Sequence, residues 1–358
     1  MAPDDGVDLL ARTAALVDIA SPSRAEGPLV DLLETELRGH AHLEVTRVGD
    51  NLVARTALGR PQRVVLAGHT DTVPAADDAG ARLDGDRLFG VGSADMKGGL
   101  AVMLDLAASL AEPSVDLTYV FYAREEVASS ESGLGELFDK RPDLLVGDVA
   151  ILGEPTDACI EAGCQGTLRM RFELRGARAH TARPWMGRNA VHRLAGILAV
   201  LDTYEARSPV IDGCQFREAL QAVAVEGGSG GNVVPDRASI TVNFRFAPDR
   251  TADAAQSHVR ELFAPFLEDS DVIEVLDLAD AAAPGLDHPL LAALVERSGG
   301  EVMAKLGWTD VARFAAHGVP AVNFGPGDST VAHTADEYLD RAPLERVHAV
   351  LRELLRSS

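Results

Sequence analysis

Three apolar runs in this chain each end in groups that carry charge: VVLAGHTD at 64–71, LTYVFYAREE at 117–126 and VAILGEPT at 149–156. Uncharged runs rich in Val, Ile and Tyr read as strands buried on both faces, as in a parallel sheet. MKGGLAVMLDLAASLAE at 96–112 lies between the first two and reads as a helix apolar nearly all round. Strands alternating with helices predict an α/β domain with a mixed, mostly parallel sheet. In such sheets ligands bind beyond the carboxyl ends of the strands. His69, Glu125, Glu126 and Glu154 fall at three such ends. Two adjacent carboxylates after a buried run repel each other unless a cation or a proton compensates.

The texture changes near residue 166. TLRMRFELRG at 167–176 and ASITVNFRFAP at 238–248 alternate, as antiparallel strands with one wet face do. Helical stretches at 187–206 and 251–268 and a strand at 271–279 complete a β-α-β-α-β order. This predicts a small α+β domain at 166–274, inserted into a discontinuous domain of 1–165 and 275–358. Asp84-Gly85 marks a hairpin within 81–90. GGSGG at 227–231 is a tight loop; with no Gly-Lys-Ser/Thr after it, it does not match a phosphate loop.

Charge narrows the partners. The 358 residues carry 33 Lys and Arg against 55 Asp and Glu, a formal net charge of −22. Such a surface repels phosphate backbones and anionic membranes, so neither nucleic acid nor membrane is expected as a partner. Three cysteines, Cys159, Cys164 and Cys214, make neither a disulfide framework nor a CxxC zinc site. Their use fits a reducing compartment. With no signal-peptide pattern at the start and no apolar run of about 20 residues, the expected location is the cytoplasm.

Taken singly, the ionisable residues have ordinary readings. Asp95, in FGVGSADMKGG, could cap a helix; Glu154 could be a turn residue before Pro155; His333, in GPGDSTVAHTADEYL, could be a loop histidine. Taken together, two histidines with several carboxylates form a ligand set suited to zinc. Two metals close together need a bridging carboxylate, a role open to Asp95. Asp71, two residues after His69 on the same face of an extended segment, is placed to orient the imidazole.

HTDTVP, GVGSADMKGG, REE, GEPT and AHTADEYL, in this order, resemble the motifs of the di-zinc aminoacylase/carboxypeptidase family. The resemblance spans nearly the whole chain. It implies a zinc-peptidase-like catalytic domain and an inserted lid and dimerisation domain. By the resemblance, His69, Asp95 and Glu154 would hold one Zn2+, and Asp95, Glu126 and His333 the other, with Co2+ or Mn2+ as an alternative in one site. Glu125 would be the general base and Asp71 would support His69. His180, in ARAHTARPW, would polarise the scissile carbonyl from the partner subunit of a homodimer. Asn232 in GGNVVP, Arg245 in NFRF and Thr309 in GWTDVARF match substrate contacts. Arg245 can hold a carboxylate bidentately, though a strand arginine facing solvent is an equal reading. The implied reaction is metal-dependent amide hydrolysis of a small N-acyl amino acid. Related family reactions on other acyl amino acids or dipeptides share the same metal motifs. A metal-binding or scaffolding protein without catalysis would have lost the base or a ligand, and here the set is complete.

Overall fold

The computed structural model describes residues 7–74, 80–228 and 230–356. In chain order, the first part contains α1 (Leu9–Val17), α2 (Gly27–Arg38), β1 (Glu44–Val48), β2 (Asn51–Arg55), β3 (Arg63–His69), β4 (Arg82–Asp84), β5 (Arg87–Phe89), α3 (Gly98–Ser109), β6 (Asp116–Tyr122), α4 (Gly133–Lys140), β7 (Val149–Leu152) and β8 (Ile160–Ala162). The middle contains β9 (Gly166–Arg175), α5 (Ala190–Asp202), β10 (Val210–Ile211), β11 (Cys214–Gln215), β12 (Ala219–Gly227), β13 (Arg237–Phe246), α6 (Ala252–Phe263) and β14 (Val272–Ala279). The last part contains α7 (Pro289–Ser298), β15 (Val302–Ala304), α8 (Val311–Ala316), β16 (Ala321–Asn323), β17 (Tyr338–Asp340) and α9 (Arg341–Arg356).

The chain divides into two compact units. The first comprises 1–163, 284–303 and 310–358; the second comprises 164–283 and 304–309. The boundary expected at 274 would cut β14. That strand stays whole because it pairs with β9 from Val272 to Ala279.

The first unit is built on a mixed sheet in the order β1-β2-β6-β3-β7-β16-β8-β15. Its centre is parallel: β3 pairs with β6 and β7, and β7 with β16. The flanks are antiparallel, through the β1-β2 hairpin, β2 on β6, and β8 on β16. All seven residues of β6 and all four of β7 are buried, and apart from Asp116 at the start of β6 they carry no charge. Helix α3 is buried from Gly98 to Ala107, and each fully buried Leu or Val there contributes about 1.5–3 kcal/mol. The helix begins at Gly98 rather than Met96, because Asp95 and Met96 have non-helical backbone angles.

α3 approaches the end of β7 closely. A Cβ on Gly99 would stand 2.4 Å from the Gly153 carbonyl oxygen. Gly99→Ala should therefore destabilise the protein by about 1–3 kcal/mol, read as a lower melting temperature. An unchanged melt would show that helix and strand can separate freely.

The second unit is a four-stranded antiparallel sheet, β12-β13-β9-β14, under α5 and α6. Leu168, Met170, Phe172 and Leu174 of β9 alternate with polar residues and face the core. Ile240, Val242, Phe244 and Phe246 do the same from β13. Phe172 packs edge-on against Phe263 of α6, ring centres 5.1 Å apart. β12 adds a strand beyond the expected β-α-β-α-β order. It carries little apolar signal because Gln221–Gly227 are exposed.

Candidate metal centre

Register brings the charged strand ends level. In the parallel ladder His69 pairs with Tyr122, and Ala67 with Leu152. Glu154 follows Leu152 by two residues, as His69 follows Ala67. Glu125 and Glu126 follow the end of β6.

Donor atoms of His69, Asp95 and Glu126 lie within 4.8 Å of one another. Asp95 does not cap α3; its carboxylate instead joins the two histidines. Oδ1 is 3.0 Å from His69 Nε2, and Oδ2 is 3.4 Å from His333 Nε2. His333 Nε2 also lies 2.7 Å from Glu126 Oε1. Glu154, 5% exposed, stands outside that triad, yet its charge acts on His69 and on Glu125.

Asp71 has a wider task than the sequence conveys. His69 Nδ1 meets the main-chain carbonyl of Asp71 at 2.9 Å, closer than the carboxylate at 3.6 Å. A proton on Nδ1 leaves Nε2 free to ligate. The Asp71 carboxylate meanwhile accepts from the amides of Glu125 at 2.9 Å and Glu126 at 3.1 Å, and from Ser23 Oγ at 2.7 Å. It thus fixes the peptide that carries both glutamates. Burial would raise the Asp71 carboxyl, but His69 first, then Ser23 and the Glu125 amide, hold it down at about 2.

The charges are out of balance in a telling direction. Burial alone would push the His69 imidazole down, but Asp71 and Asp95 hold it well above the ordinary range. Hydrogen bonds to Asp95 and Glu126 raise His333 to about 10. Burial pushes Glu125 well up; Glu154, Asp310 and Glu126 add to that and His69 opposes it. Carboxylates outnumber imidazoles around the buried His69 and the partly buried Asp95, Glu125 and Glu126, so positive charge is missing. Divalent cations would supply it, and these nitrogen and oxygen donors suit zinc. The residues present therefore fit a divalent metal centre.

The remaining expected residues belong to the second unit. His180 is exposed, and its Nδ1 accepts from the Ala182 amide at 3.0 Å. That bond puts the ring proton of a neutral imidazole on Nε2, where it can be donated. Asn232 is also exposed and adjoins His180: its carbonyl accepts from Thr181 N at 3.1 Å, and His180 bridges to Val233. Arg245 is half-buried on β13, opposite Thr167 and Ala219. Burial lowers its guanidinium pKa and Asp277 opposes the change. Thr309 is 4% exposed, and Cys164 Sγ donates to its carbonyl at 3.7 Å.

The family-model search matches residues 65–357 of this sequence to Peptidase family M20/M25/M40. The chain belongs to this family. Among relatives in the family, it is 54% identical over 351 residues to a Mycobacterium tuberculosis protein named "Putative succinyl-diaminopimelate desuccinylase DapE", covering 98% of this chain and 97% of that one. It is 45% identical to the succinyl-diaminopimelate desuccinylase of Corynebacterium glutamicum, covering 98% of each. The fold matches a Staphylococcus aureus tripeptidase with a TM-score of 0.82 at 20% identity, over 98% of this chain and 97% of that one. A Bacillus subtilis M20 family protein described as a dinuclear metal binding peptidase matches with a TM-score of 0.70 at 16% identity, over 97% and 96%.

Several buried charged residues that adjoin the proposed site residues in the chain give little signal in the sequence. Asp310, next to Thr309, is 1% exposed and pairs with Arg313 Nε at 2.7 Å. Burial raises its pKa against Arg313 and Tyr122. Lys97, beside Met96, sends Nζ to the carbonyls of Leu16 at 3.1 Å and Ile19 at 2.8 Å. Glu337 lies in the quoted AHTADEYL stretch. Its position four residues after His333 was the available signal.

Proposed function

We propose that this protein hydrolyses N-succinyl-LL-2,6-diaminopimelate to succinate and LL-2,6-diaminopimelate, a step in diaminopimelate and lysine biosynthesis. The carrying observation is the anionic His/Asp/Glu cluster at the strand ends, in a chain that aligns almost end to end with relatives named for this reaction. His69, Asp95 and Glu154 would hold one zinc ion, and Asp95, Glu126 and His333 the second. When bound, the pair would polarise the scissile carbonyl and acidify a water molecule.

Glu125 takes a proton from that water as its oxygen adds to the amide carbon. His180 donates Nε2–H to the carbonyl oxygen as negative charge develops there. The carbon–nitrogen bond then breaks, and Glu125 passes its proton to the departing diaminopimelate nitrogen. Arg245, Asn232 and Thr309 bind the substrate's polar groups, with Arg245 suited to a carboxylate.

The inserted unit serves as lid and dimer surface in this reading. β12 is an edge strand with Val223 and Val225 more than half exposed, and α5 exposes Val191 and Leu198. An open edge beside exposed valines suits pairing with a second copy. In this reading the enzyme acts in the cytoplasm. No described helix is long and apolar enough to cross a membrane.

A two-substrate assay on protein of measured metal content tests the reading. kcat/KM for N-succinyl-LL-diaminopimelate should exceed that for N-acetylornithine by roughly 100-fold or more. Equal or reversed values would assign the chain to another acyl amino acid.

A further inference from the structure

Glu337 is 2% exposed, and no catalytic step uses it. Its carboxylate accepts from three main-chain amides: Gly92 at 3.0 Å, Ala94 at 2.9 Å and Asp95 at 3.0 Å. Its carbonyl accepts from Gly90 N at 3.1 Å, and its own amide donates to Thr334 O at 3.3 Å.

The gripped stretch needs outside acceptors. It lies between β5 and α3 and belongs to neither a ladder nor a regular helix. Gly92 has φ 81°, and Asp95 and Met96 depart from helical angles. Ser93 and Lys97 find partners within the turn, at Gly90 O and Gly92 O. Gly92, Ala94 and Asp95 all depend on one side chain from 242–245 residues later in the chain. A buried carboxylate is costly unless it is fully hydrogen-bonded, and three converging amides meet that need.

Both ends of this link carry proposed ligands. Asp95 is itself one of the gripped residues, and its carboxylate reaches both histidines. His333 is four residues before Glu337 in the same connection between β16 and β17. We propose that Glu337 is a positioning residue: it sets the spacing between the Asp95 main chain and His333, and so the affinity of the cation held by Asp95, Glu126 and His333. The inference rests on the two-cation reading above.

Glu337→Gln keeps the shape but loses one acceptor oxygen, so one amide faces an NH2 group. Glu337→Asp keeps the charge on a shorter stem and should give a milder form of the same defect. Metal-free wild type and both variants would be titrated with Co2+, following heat and the visible spectrum at one and two equivalents. Thermal melting of the metal-free forms and steady-state kinetics complete the set. In Glu337→Gln the first equivalent should bind as in wild type and the second about 10-fold more weakly or worse. kcat should recover as Co2+ is raised, with KM within about twofold, the pattern expected when only metal loading is impaired.

Unchanged affinity for the second equivalent would overturn the inference. So would equal weakening of both equivalents alongside a lower metal-free melt, the signature of a general structural role. If Glu337→Gln does not fold, Glu337→Asp is judged by the same criteria. Wild type that binds a single equivalent would overturn the two-cation reading and this inference with it.

Discussion

Glu125→Gln should melt and bind metal like the parent yet turn over substrate about 10³-fold more slowly or worse. Glutamine fills the same volume and differs mainly in being unable to take a proton. The Glu125 amide is tied to Asp71 at 2.9 Å, so the main chain should hold the new side chain where the old one stood. Burial raises the Glu125 pKa, and Glu154, Asp310 and Glu126 add to that against His69. Glutamine has no charge to bury in that group, so the metal-free variant should melt no lower than the metal-free parent. Glu126→Gln should behave differently and lose metal, because its carboxylate belongs to the ligand cluster. Two adjacent residues of one chemistry thus separate into two phenotypes, scored by metal content, melting and kcat. Turnover within tenfold of wild type in Glu125→Gln would remove Glu125 as the base.

Mixing His180→Ala with Glu125→Gln subunits should restore activity that neither has alone. His180→Ala by itself should lose roughly 10²–10³-fold in kcat, the scale for deleting one oxyanion donor. If the histidine acts across a dimer, a mixed pair has one site with an intact base and the partner's intact histidine. Random reassortment of an equal mixture should then recover about a quarter of wild-type activity. The exposed position of His180 and its free Nε2 suit such a reach. Size measurement on the same samples checks that pairs formed. Mixed dimers with no recovered activity would place the histidine's action within its own subunit.

The parts of this molecule legible from sequence share a cause. A strand buried on both faces must be largely apolar, so β3, β6 and β7 stand out, and the charges that follow them mark the edge of the proposed ligands. The Asp84-Gly85 pair likewise announces the β4-β5 turn. β12 escaped because its valines point to solvent, where periodicity carries no core signal. The change of texture near residue 275 fell inside β14, since a composition shift does not register hydrogen-bonded pairing. Roles that depend on distant main chain were the least legible. DEYL reads as a solvated turn until folding brings Glu337 to the amides of Gly92, Ala94 and Asp95. From sequence Asp71 reads as a partner of His69 alone, because nothing in its neighbourhood of sequence points to the amides of Glu125 and Glu126.

The first unit is assembled from the opening of the chain and its close, and this orders events on the ribosome. His69, Asp95, Glu126 and Glu154 emerge more than 170 residues before His333, with the second unit translated in between. Until β16 is made, β7 has no neighbour on one side and offers a bare apolar edge to other nascent chains. A polypeptide stopped before residue 321 would carry most of the proposed ligands and the proposed base, but no strand to cover that edge. Prematurely terminated products should therefore accumulate as aggregates rather than as partly active hydrolase.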